Sequence, residues 1–105
     1  MKRTIGRIVH YRLSDGDKDA INARRGETAV HANYVYAGDY LPAMITAVFG
    51  GSTGPGSVNL KVFVDGDWDY WATSRPEGDG NGQWTWPPRG VSEGVQNGQW
   101  IWAKL

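Results

Sequence analysis

No cysteine occurs in the 105 residues, so neither a disulfide framework nor a thiolate metal site is available. A chain of this length holds one core without such staples and is expected to form a single domain. Net charge is absent too, with eleven Lys/Arg balancing eleven Asp/Glu. A dedicated nucleic-acid binder carries a basic excess, so nucleic acid is not an expected partner. The balance is uneven along the chain: residues 1–25 carry seven Lys/Arg against three Asp, the remainder four against eight. That asymmetry reads as two surfaces that attract each other within or between chains. No apolar run is long enough to cross a bilayer, and Met1-Lys2-Arg3 is followed by polar residues in place of an apolar signal core. Neither a membrane role nor classical export is expected. Histidine is scarce, and His10 and His31 each stand alone in their segments.

What is present is glycine and tryptophan, fifteen and six residues respectively, a composition suited to short strands, tight turns and aromatic packing. The clearest stretch is residues 58–73, two β-rich runs around Asp65-Gly66. A two-residue turn at that dipeptide places Asp67 and Asp69 on the apolar face. A three-residue loop, Val64-Asp65-Gly66 with Gly66 left-handed in a bulge, sets Val62 against Trp68, Leu60 against Tyr70, Val58 against Ala72 and Lys61 against Asp69. The second register is preferred, because burying an unpaired carboxylate costs at least several kcal/mol. Its other face carries Lys61, Phe63, Asp67, Asp69 and Trp71, leaving two large aromatics partly exposed.

Residues 4–13 alternate as a first strand, Val9, Tyr11 and Leu13 on one side and His10 and Arg12 on the other, with Gly6 a bulge candidate. Ser14 is a helix N-cap with Asp17 in the capping-box position, Arg24 and Arg25 close the last turn, and Gly26 supplies the stop. A helix over 15–25 follows, with Ala20, Ile21 and Ala23 available to a core. Residues 26–39 are irregular. Residues 40–49 form a strand with Pro42 near its start or on an edge, and 50–56 and 74–82 are loops. The tail repeats itself: Glu77 to Trp86 recurs as Glu93 to Trp102 sixteen residues on, each copy ending in two tryptophans that share a strand face.

The opening Gly6-Arg7-Ile8-Val9-His10-Tyr11, then Gly38-Asp39, Pro42-Ala43, Ala47-Val48-Phe49-Gly50-Gly51, Val58-Asn59-Leu60, Asp65-Gly66, Trp71-Ala72-Thr73-Ser74 and Trp84-Thr85-Trp86-Pro87-Pro88 resemble a set of short uncharacterised proteins of actinobacteriophages and related prophages. The resemblance covers about residues 4–90 and implies a viral or prophage origin, with no activity to carry over. The second Trp copy, within 91–105, lies beyond it and reads as a C-terminal extension.

Chemical motifs are weak. Asp15-Gly16-Asp17-Lys18-Asp19 imitates the start of a calcium loop, but Ala20 and Gly26 stand where that loop needs glycine and glutamate. Asp65, Asp67 and Asp69 do the same, with Tyr70 at the glycine position. The run 50–56 lacks the lysine of a phosphate loop, and Pro55 removes a donor. No metal or cofactor is expected, and an enzyme would need an unseen constellation around His10 or His31. The tryptophans fill a core in the plainer reading. In the sharper one, Trp71, Trp84 and Trp86 form an aromatic wall beside Arg75 and Arg89, able to stack a planar group and pair its phosphate or carboxylate.

The expected fold is mainly β: a small open SH3-like barrel with one short inserted helix, a small two-sheet β-sandwich being the alternative. The expected function is a non-catalytic phage protein in the host bacterial cytoplasm. It would bind a small, nucleotide-like ligand or a host protein through Trp71, Arg75, Trp84, Trp86 and Arg89. Alternatives are a virion accessory subunit, in capsid or tail, and an enzyme. Homo-oligomerisation is expected through Trp100 and Trp102 on a terminal strand.

Overall fold

A computed structural model describes residues 1–27, 30–87, 91–96 and 99–104. The chain runs β1 (Ile8–Arg12), α1 (Asp15–Arg25), β2 (Tyr40–Phe49), β3 (Ser57–Phe63), β4 (Asp69–Pro76), β5 (Trp84–Thr85), β6 (Val91–Gln96) and β7 (Gln99–Lys104). The first five strands make one antiparallel sheet in the order β4-β3-β2-β1-β5, curled into an open half-barrel. The mainly-β open barrel with one inserted helix is the architecture. In place of a sandwich, β6 and β7 pair only with each other, in a separate two-stranded sheet. β6 was not anticipated; Gly94 within it and the neighbouring loop residues hid its pattern.

The curl has a local cause. Between Ile45↔Leu60 and Ala47↔Asn59 the β2 strand carries one extra residue, Thr46, and between Leu60↔Ala72 and Val58↔Arg75 the β4 strand carries another. Both irregularities meet at Asn59. Its carbonyl accepts from Thr46 Oγ1 at 3.3 Å and its side-chain Oδ1 accepts from Ser74 N–H at 2.9 Å. Ser74 has φ +53°, a conformation unusual outside glycine. Two bulges on either side of one strand bend the sheet and raise its twist. Closure is completed at one end, where Gly78 N–H donates to Trp84 O at 2.9 Å and β5 meets the chain just after β4.

Alternation in the strands fills the concave side. Val9, Tyr11, Ala43, Ile45, Val58, Leu60, Val62, Ala72 and Trp84 are all fully buried. α1 closes the remaining opening. Ser14 caps it with both halves of the capping box in place, as the sequence indicates. Its buried residues are Asp17 and Ile21, four apart on one narrow face, whereas Ala20 and Ala23 are exposed, so the helix buries an acid and one aliphatic side chain in place of a broad apolar stripe. Gly26 ends the helix with φ −75°, in the ordinary right-handed region, and the left-handed stop is not used.

The β3–β4 connection differs from the expected three-residue loop. Phe63 pairs with Asp69, Val62 with Tyr70, Lys61 with Trp71 and Leu60 with Ala72, so the loop is 64–68 and the register moves by two. A shift of two preserves every facing, which is why the assignment of inner and outer residues survives. The longer loop is held from outside. Asn33 N–H donates to Asp65 O and Asp67 N–H to His31 O, both at 2.8 Å, and the Asn33 side chain reaches Asp65 Oδ2 at 2.6 Å. Gly66 is needed for this approach, since a Cβ there would overlap His31 O and Ala32.

At the start of the chain, Arg3 is buried and spends its guanidinium on the carbonyls of Gly51, Thr53 and Gly54. The 50–56 loop thus turns carbonyl oxygens toward a cation, the opposite polarity to a phosphate cradle. Gly6, a bulge candidate, sits in a turn with φ +92°, and β1 begins only at Ile8.

Candidate functional site

Two regions concentrate unusual chemistry, one on each face of the sheet. Inside, the Asp17 carboxylate is only 1 % exposed. Its Oδ1 accepts from Tyr70 Oη at 2.8 Å and from Arg75 Nη2 at 2.9 Å, and its Oδ2 accepts from Tyr11 Oη and from Ser14 N–H. Four donors from β1, the helix cap and β4 converge on one side chain, and the Arg75 guanidinium lies 5.8 Å from the Tyr11 ring centre. Burial pushes the Asp17 carboxyl up, but the hydrogen bonds from Tyr11, Ser14 and Tyr70 outweigh it and hold the acid below its usual range. Burial first, then the bond to Asp17, raises both tyrosine hydroxyls. The ionised acid and its four donors tie the helix cap to β1 and β4.

Arg75 reaches this cluster because of the bulge. Strict alternation after Ala72 would turn Arg75 outward beside Trp71, as the sequence suggests. The extra residue at Ser74 turns it inward opposite fully buried Val58. The expectation that Arg75 serves a surface ligand is therefore corrected. Trp84 is corrected likewise: it is fully buried, donating Nε1–H to Arg75 O at 3.2 Å. Trp86 is half-buried, set edge-on to Trp84 at 5.2 Å between ring centres, with the Arg7 guanidinium 5.9 Å over it. Trp84, Trp86 and Arg75 do come together, but as filling and not as an open wall, and Trp71 lies on the opposite face. Arg89 lies outside the described residues. β7 places Trp102 opposite Glu93 and Trp100 opposite Val95, and the side chains of this hairpin are outside those described.

Outside, the convex face carries Trp71, 65 % exposed, with Phe63 at 39 %, Ile8 at 45 % and Phe49 at 48 %. Ladder pairing arranges them: Ile8, Met44, Lys61 and Trp71 form one row across β1 to β4, and Phe63 and Asp69 stand in the next. Lys61 Nζ is 3.9 Å from Asp69 Oδ1, and both side chains are about half exposed. Beside this face a shallow depression at the β3–β4 loop is lined by Phe63, Trp68, Asp67 and Asp69.

Neither histidine is isolated in space. His31 Nδ1 lies 3.0 Å from Asp67 Oδ2 and its N–H donates to Asp67 Oδ1. The backbone bond, then the ring, lowers the Asp67 carboxyl. This exposed pair fastens the loop. His10 is half-buried, tilted against Tyr40, and burial lowers its pKa. Among the described residues, no group of three or more His, Asp and Glu side chains is placed to hold a metal ion, and no helix is long and apolar enough to cross a membrane. Comparison with family models, with curated proteins and with solved structures finds no match.

Sequence reasoning missed Asp17 as a hub, having accounted for it as a cap. The usable signal was Tyr11 on the buried face of β1, an inward hydroxyl that needs an acceptor.

Proposed function

We propose that the chain is a non-catalytic binding module, of phage or prophage origin as the resemblance implies, that recognises a protein through the outer face of its sheet. Trp71 is the anchor of that surface, Phe63, Met44 and Ile8 its apolar surround, and Lys61 and Asp69 its charged markers. The observation that carries the reading is the exposure of Trp71 on a strand whose next residue, Ala72, is fully buried. Exposed large rings set among aliphatic side chains on one sheet face are the kind of surface on which a partner docks, and Trp is the residue most enriched where binding energy concentrates. A protein suits this face better than a nucleotide, because the face is open and its one lysine already has an acidic neighbour.

The test is site-specific photo-crosslinking in host cells from Thr73, exposed on the same face of β4. A protein adduct at Thr73 that disappears when Trp71→Ala is added, while a crosslinker at Ala23 on the helix gives none, is the expected result. No adduct, or the same adduct with and without Trp71, overturns the reading.

A further inference from the structure

We infer that the protein this face recognises is a second copy of the chain, docked about a two-fold axis; the inference rests on the outer face being the recognition surface. A two-fold interface must be self-complementary, each contact occurring twice with the roles exchanged. Lys61, Trp71, Phe63 and Asp69 stand at the corners of a rectangle on β3 and β4, with Lys61 beside Trp71 and Phe63 beside Asp69. The two rings occupy one diagonal and the two opposite charges the other. A half-turn about an axis lying in the face along the ring diagonal stacks each aromatic on its counterpart. The same operation brings Lys61 within side-chain reach of the partner's Asp69, and Asp69 within reach of the partner's Lys61. The other diagonal would oppose like charges, so the pattern selects one arrangement and rejects its nearest competitor.

Both charges have capacity left for this. Their separation within the chain is 3.9 Å, at the outer limit of an ion pair, with side chains 52 % and 47 % exposed. Met44 and Ile8 extend the row beyond Lys61 and continue the apolar area across β2 and β1. Trp71 and Phe63, with few rotatable bonds, lose little freedom on contact.

Sedimentation velocity on the full chain, from about 10 μM to about 1 mM, spans the range in which interfaces of modest area dissociate. The expected species is twice the 11.6 kDa chain. Lys61→Asp and Asp69→Lys should each weaken self-association at least about tenfold, since each places like charges together twice. An equimolar mixture of the two variants should restore the dimer, because each altered position then meets an opposite charge. Circular dichroism of both variants should match the parent, as the positions are exposed. Wild-type chain that stays monomeric throughout, or variants whose mixture associates no better than each alone, overturns the second copy as occupant. If it is monomeric yet still gives a Trp71-dependent adduct with another protein, only this inference falls; if Trp71→Ala changes neither association nor crosslinking, both fall.

Discussion

Each face of the sheet carries a minority of side chains opposite in kind to the rest of it. The concave side holds an ionised aspartate, two phenols and a guanidinium among its aliphatic side chains, whereas the convex side displays tryptophan, phenylalanine and isoleucine to solvent. Inside, each polar atom of Asp17 has its donors, so the cost of burial is offset by geometry and the cluster is committed to holding α1 against β1 and β4. Outside, Trp71 and Phe63 are exposed and make no hydrogen bond or ring contact with another of the described residues. The difference separates residues that make the fold from residues free to do something else, and aromatic content alone does not distinguish them, since Trp84 and Trp71 fall on opposite sides.

The comparison breaks most visibly at Asp17. Replacing Asp17 by Ala removes the acceptor of two tyrosines and one arginine, and should cost about 3–5 kcal/mol of stability, read as the shift in urea midpoint. The pH dependence has a definite sign. The folded-state pKa lies below the unfolded value, so the contribution is present above the unfolded carboxylate pKa of about 4 and is lost as pH falls through the lower, folded value. Thermal midpoints of the parent should therefore drop below about pH 4. The Asp17→Ala protein should show a flatter acid limb, Asp67 contributing to what remains. A parent and variant with parallel limbs would deny Asp17 its place at the centre of the interior.

Next in size is the bulge that routes Arg75 inward. Asn59→Ala deletes the acceptor for Ser74 N–H and should cost about 1–2 kcal/mol. Because the bulge delivers Arg75 to Asp17, the loss should not add to that of Asp17→Ala, and a double-mutant cycle should show a coupling of at least about 0.5 kcal/mol. Strict additivity would mean that Arg75 finds Asp17 without the bulge.

How much of this was readable beforehand follows from which interactions are local. The capping box at Ser14 and Asp17, the strand over Tyr40 to Phe49 and the facing of Val58, Leu60 and Val62 depend on spacing within a few residues, and spacing is what a sequence displays. The loop at 64–68 depends on pairing with residues 31–33, more than thirty residues earlier in the chain, so turn preference at Asp65-Gly66 misjudged its length. Arg75 depends on a single inserted residue whose cause is Asn59 on the neighbouring strand, and nothing beside Ser74 announces it. Tryptophan spacing at 84 and 86 indicates a strand but not which side faces the core. The outer surface was half visible, Phe63 and Trp71 following from alternation, while their arrangement with Lys61 and Asp69 waited on the register.

The smallest expected effect sharpens the contrast best. Trp71→Ala removes the largest exposed ring of the sheet, yet its ladder partner is Lys61 and it makes no hydrogen bond to another of the described residues. An exposed substitution of this kind shifts stability by no more than about 0.5 kcal/mol. Trp84→Ala, which empties a fully buried site and removes a donor from Arg75 O, should cost about 3–5 kcal/mol. Urea unfolding of the two single variants side by side gives the comparison directly. Near-equal losses would mean that Trp71 supports the fold as Trp84 does, and the outer face would then have no surplus surface to offer a partner.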